Sequence, residues 1–279
     1  MTSSQALSGG TQRAAAMPRS GLAMRLTSEI VSGDMSGGPS TSQTILVSSL
    51  QRLLSLLPPD APSEAYRSAV MEDNVLGKDT TSGREWAFRQ LRRFYALDPH
   101  SLLFRALRDL WSDDTSGQRL IALLCAMARD PVLRASSSVI LTAEPGQVVT
   151  PSDFEVAIES AFPGAYKEST RGTTAKKVAS SWNQSGHLDA KKPTQKIRVV
   201  VDPTPASVAY ALLLGYLQDA RGQALFETLW ARILDQPKSR LVELAATASQ
   251  RGMLELRTAG GVVEIGFREL LRPLEGELL

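Results

Sequence analysis

The chain has 279 residues, with 31 Lys or Arg against 29 Asp or Glu, two histidines and a single cysteine. An apolar content of 43% and a charged fraction of 22% describe a globular chain long enough for two or three small domains, each with its own core. One cysteine excludes an intramolecular disulfide and any cysteine-based metal cluster, a pattern that fits a reducing cytoplasm.

The formal charge of +2 hides an uneven distribution. Residues 1–150 carry 15 bases and 14 acids, and residues 202–279 carry 8 bases and 10 acids. Between them, residues 165–201 hold 8 bases against only Glu168 and Asp189. A positive segment of this kind is the footprint of a surface that meets phosphates.

The N-terminal stretch, Gly/Ser-rich and without an acid through residue 28, reads as a flexible tail over 1–17. A short helix is expected over Leu22–Val31, broken by SGGPSTSQ at 36–43. Helical spacing then runs through 44–57, ended by Pro58-Pro59, and through 63–76, ended by Gly77. Ser82 with Glu85 three residues later predicts a capping box for REWAFRQLRRFYAL, in which Glu85 and Arg89 are spaced as an i,i+4 ion pair. The aromatics of that helix have the spacing of core residues, while its arginines could extend a nucleic-acid surface. Further helices are expected at 101–111, 117–130 and 132–141, which makes residues 18–149 an all-helical domain. Cys125, inside IALLCAMA, reads as a buried inert thiol.

Residues 150–202 change character. A helix from Pro151 to Phe162, a Pro163-Gly164 turn, a helix through STRGTTAKKVASSWNQ and a stop at Gly186 precede two strands, His187–Asp189 and Lys196–Val201, with AKKPTQ at their tip. Residues 203–279 repeat the order more weakly. The apolar run 208–217 is about half the length of a membrane span and reads as a buried helix. A helix over 239–252 follows, then a hairpin over 253–267 turning at Gly260-Gly261. The predicted fold class is mainly α, a helical domain followed by two winged helix-turn-helix modules with short β-hairpin wings.

On a 3.6-residue period, Ala175, Val178, Ala179 and Trp182 form the buried stripe of the second helix. Arg171, Thr174, Lys177 and Ser181 are placed on the opposite side, with Lys176 and Ser180 flanking and Thr173 close by. A solvated helix face usually mixes signs, whereas this one is basic or hydroxyl throughout. These residues suit phosphates and base edges, and Lys191, Lys192 and Lys196 on the hairpin suit the backbone. Double-stranded DNA is therefore the expected partner. A docking helix for an acidic protein surface, in an adaptor that assembles other components, is the alternative.

Catalytic patterns do not appear. His100 and His187 lack metal-like spacing, there is no Gly-rich loop ending in Lys-Ser/Thr, and GxSxG is absent. The expectation is a non-enzyme with no cofactor, no metal and no membrane span.

EDNVLGKDTTSGREWAFRQLRRFYAL (72–97), the helical stretch LLFRALRDLW…SSSVIL after it, and ESTRGTTAKKVASSWNQSGHL (168–188) together resemble the BrxA family of BREX phage-defence systems. The resemblance covers about residues 18–200 and departs from the family at 36–43 and after 202. It implies a helical domain similar to the NusB fold, a winged helix, and a DNA-binding accessory role beside a methyltransferase, an ATPase and a phosphatase-like protein. The helical domain's likeness also leaves RNA binding as a third reading.

Overall fold

Proline and glycine punctuate the first half of the chain, and the helices obey that punctuation. A computed structural model describes residues 30, 43–112, 114–192 and 195–273. The expected tail over 1–17 and the break at 36–43 apart from Gln43 lie outside the described residues, as does the Leu22–Val31 helix apart from Ile30, which is buried. Helix α1 (Val47–Leu56) stops before Pro58, and α2 (Ser63–Met71) starts directly after Pro62.

Helix α3 (Thr81–Tyr95) is capped two residues earlier than expected. Thr80, not Ser82, accepts the Gly83 N–H at 3.0 Å, so the predicted Ser82–Glu85 box does not form. Asn74 accepts the Lys78 N–H (2.8 Å) and donates to the Lys78 carbonyl (3.0 Å), which fixes the turn between α2 and α3. Helix α4 (Leu102–Trp111) and α5 (Gln118–Arg129) follow, and every residue of α5 from Leu120 to Ala128 is buried, Cys125 included.

The single helix expected over 132–141 is two, α6 (Pro131–Ala135) and α7 (Ser137–Thr142). Asp130 caps α6 by accepting the Val132 and Leu133 N–H groups, and Ser136 Oγ donates to the Leu133 carbonyl at 2.6 Å. A hydroxyl that bonds its own backbone in this way competes with the helical ladder.

A two-residue strand β1 (Val148–Val149) then leads into α8 (Pro151–Ala161), a turn, α9 (Glu168–Gln184), β2 (Leu188–Lys192) and β3 (Gln195–Arg198). The strands form one antiparallel sheet in the order β1–β3–β2, with Val148 opposite Ile197 and Leu188 opposite Arg198. A capping box at Thr150 and Asp153 with Pro151 inside the first turn starts α8, as its sequence dictates. Strand β1 was not anticipated, because two residues are too few to show alternation.

Helix α10 (Pro205–Leu217) is buried on nearly all sides, which accounts for its uniform apolarity. A 3₁₀ segment (Gly222–Glu227), α11 (Leu229–Arg232), α12 (Lys238–Gln250) and a hairpin of β4 (Glu255–Ala259) and β5 (Val262–Gly266) complete the chain. Strand β5 alternates as its pattern predicts, with Ile265 and Phe267 buried and Glu264 exposed, whereas β4 is half-buried at Glu255 and Leu256 and exposed from Arg257 to Ala259.

The protein is thus mainly helical with two small antiparallel sheets, and its buried side chains form one continuous cluster from Ile30 to Leu270. Polar ties cross between segments. Tyr210 donates to the Leu103 carbonyl (2.9 Å), Arg272 grips Asp109 (2.6 and 3.0 Å), and Arg198 meets Asp235 at 2.7 Å. Among the described residues no helix is long and apolar enough to cross a membrane.

Candidate nucleic-acid interface

The geometry of α9 decides which side chains a ligand could reach. Ala175, Val178, Ala179 and Trp182 are all buried, as their period predicts. Trp182 donates its ring N–H to Ser136 Oγ at 2.8 Å, which pins α9 to the junction of α6 and α7. Helix α8 packs along α9, with Gly172 facing Glu155 at ordinary contact distance.

Thr174 and Ser181, expected on the wet side, are 4% and 0% exposed. The cause is a partner the helical period could not reveal. The backbone just before α1 lies along this edge of α9, where Ser181 Oγ accepts the Ile45 N–H (3.2 Å) and Gln184 Oε1 accepts the Val47 N–H (3.0 Å). Ser181 also donates to the Lys177 carbonyl at 3.1 Å. The Ile45 carbonyl in turn accepts the Tyr95 hydroxyl, so the end of α3, this strap and α9 form one stack. Buried backbone groups need such partners, and a serine supplies them in little volume. The Ser181 hydroxyl holds the fold, Thr174 is buried beside the core, and neither faces a ligand.

Arg171 is also engaged internally. Its guanidinium meets Glu159 of α8 at 2.6 Å, and the same carboxylate accepts the Gly164 N–H at 3.0 Å. The Gly164 N–H first, and then Arg171, hold the Glu159 carboxyl below its ordinary range. Arg171 therefore fixes the α8–α9 turn.

The solvent face is rotated from the expected one. It runs Ser169, Thr173, Lys176, Ser180 and Asn183, exposed at the first three and half-buried at the last two. Lys177 is half-buried on its flank. The Thr173 hydroxyl donates back to the Ser169 carbonyl at 3.0 Å. From the hairpin, Lys196 Nζ reaches Asn183 Oδ1 at 3.3 Å, which brings the hairpin and the helix onto one surface. Burial lowers the Lys196 pKa, and an anion arriving there would find part of the ammonium's water already removed. Lys191 and Lys192 complete the backbone of β2, but their side chains lie outside the described residues.

The structure thus brings Thr173, Lys176, Lys177 and Lys196 together, and it removes Thr174, Ser181 and Arg171 from the open face. Asn183 and Ser169 were missed, although Ser169 lies four residues before Thr173 and Asn183 seven after Lys176, spacings that were there to read. The first turn of α9 has no side-chain cap, and Lys167 beside it is exposed. Its donors are free for an acceptor from outside.

The second hairpin module mixes signs, with 10 acids and 8 bases over residues 202–279. Some of its bases meet acids, Lys238 with Glu227 (2.9 Å), Arg240 with Glu243 (3.1 Å) and Arg268 with Glu255 (3.9 Å), while Arg232, Arg251 and Arg257 are exposed without an ion pair among the described residues. A cleft of about 610 Å³ lies between α7, β1 and α8, lined by Val139, Val149 and Val156 among small residues, with Val156 68% exposed. Among the described residues no three His, Cys, Asp or Glu side chains group as metal ligands. No family model matches the chain, and no curated protein matches it significantly.

Proposed function

We propose that the chain is a non-catalytic, double-stranded DNA-binding accessory protein, acting in the cytoplasm as part of a BREX-type anti-phage system. The observation that carries DNA binding is the acid-free open stripe of α9 from Ser169 to Asn183, with Lys196 of the hairpin laid against its end. The order helix, short strand, helix, turn, helix, hairpin, with β1 pairing to β3, supports reading residues 137–198 as a winged helix whose α9 enters the major groove. Thr173 and Lys176 then meet phosphates or base edges, and the hairpin lysines meet the backbone. The defence role, the NusB-like character of the helical part, and partners such as the methyltransferase, ATPase and phosphatase-like protein rest on the resemblance of residues 18–200 to BrxA.

A mobility shift of a random-sequence duplex at low salt tests the reading. Wild type should retard the duplex, and Lys176→Glu should abolish the shift while leaving the thermal melt unchanged. Equal retardation by both proteins would remove α9 from the interface. A protein adaptor is the second reading, favoured by the apolar cleft beside Val156. Absence of any duplex shift by wild type would put it first.

A further inference from the structure

A second cluster of unneutralised cations lies outside the hairpin modules. On α3, Ser82, Glu85, Arg89 and Arg92 form the exposed stripe, while Trp86 and Phe88 are half-buried and packed onto the core. The aromatics are therefore packing residues, not a stacking platform. Arg89 and Arg92 have no acidic partner among the described residues, and the anticipated Glu85–Arg89 pair is not formed. Elsewhere Arg221, Arg240, Arg268 and Arg272 each meet a carboxylate, while Arg52, Arg119, Arg232, Arg251 and Arg257 are exposed without an ion pair among the described residues. What sets Arg89 and Arg92 apart is their adjacency: at i,i+3 on one helix they present two open guanidinium groups side by side, a pairing suited to an anionic partner.

The fold sets this pair beside the start of α9. Arg93, the next residue after Arg92, bonds Asp130 at 3.2 Å. Tyr166, two residues before α9, is buried within electrostatic reach of both Arg93 and Asp130. Arg92 and the exposed Lys167 are thus each one residue from members of this junction, where the uncapped first turn of α9 also lies. A duplex seated on α9 would carry its flanking phosphates past that point.

We propose that Arg89 and Arg92 form a second phosphate-contacting element, gripping the duplex backbone beside the entry of α9. The inference rests on the duplex-binding reading above and extends its footprint onto the helical part of the chain. Each neutralised phosphate contributes about 0.9 to the slope of log affinity against log salt.

Fluorescence anisotropy of a labelled duplex over a KCl series compares wild type, Arg89→Gln/Arg92→Gln and Arg89→Lys/Arg92→Lys. The glutamines keep most of the side-chain stem, and thermal melts check that all three proteins are folded. The Gln pair should flatten the slope by about two and weaken binding roughly ten- to thirtyfold near 0.15 M salt. The Lys pair should restore most of the slope. A Gln pair with the wild-type slope, in a protein whose Lys176→Ala variant does lose slope, would overturn the inference and leave the duplex reading standing. No binding by wild type at low salt would overturn both.

Discussion

Ser181 and Lys176 sit five residues apart on one helix and carry opposite duties. Ser181 is sealed in, and its hydroxyl is the acceptor for the Ile45 N–H. Ser181→Ala would leave that donor buried without a partner, at a cost of about 1–3 kcal/mol. Urea denaturation should register the loss, with duplex affinity of the folded fraction retained. Lys176→Ala should do the reverse, lowering affinity several-fold with an unchanged midpoint. Arg171→Ala should fall between these, loosening the α8–α9 turn and letting the Glu159 carboxyl rise part of the way back, since the Gly164 N–H still holds it. That shift is readable by carboxylate titration in NMR. Identical behaviour of the Ser181 and Lys176 variants in both assays would contradict the orientation of α9 described here.

At the level of elements, the second hairpin is held by contacts as tight as those of the first. Gly222 opens the 3₁₀ segment at φ +56°, and a side-chain carbon there would approach the Val263 carbonyl oxygen of β5 to 2.8 Å. Gly222→Ala should therefore cost more than about 1 kcal/mol, from left-handed backbone strain and the clash together, and should speed amide exchange across β4 and β5. Most helices were legible because Pro58, Pro62, Pro131, Pro151 and Pro205 mark their ends or starts. The buried stripe of α9 was legible because Ala, Val and Trp recur at 3.6-residue spacing. Its open face was not, because Ser, Thr and Lys tolerate either environment. Which hydroxyls became buried was decided by a strap 136 residues away in sequence. Strand β1, the α6–α7 break and the short helices after Gly222 lacked enough residues to generate a period.

Across the whole molecule, one buried junction joins the basic module to the C-terminal one. His187 is fully buried, with Nδ1 2.9 Å from Ser185 Oγ and Nε2 2.8 Å from the Ile233 carbonyl, and its ring meets Trp182 edge-on at 5.1 Å. Burial first, with Arg198 adding to it, lowers its pKa to about 4, against the opposing pull of the Ile233 carbonyl and Asp235. Below the ordinary value of 6.5 the unfolded chain takes up a proton that the folded chain refuses. Stability from this group is complete above pH 6.5 and is lost as pH falls toward 4, by roughly 3 kcal/mol in total. Denaturation at pH 7 and pH 5 should show that decline in wild type and a shallower one in His187→Gln. Arg198 beside it is 3% exposed and paired with Asp235, so Asp235→Ala should cost about 3–5 kcal/mol by stranding a buried cation. The strap before α1 carries a further consequence, for the order of assembly. Its Ile45 and Val47 N–H groups find their acceptors on Ser181 and Gln184. During synthesis at about 5–20 residues per second, those donors wait about 7 to 27 seconds for the side chains that complete them. The helical part must therefore persist on the ribosome with one edge open, and α9 closes that edge as it emerges.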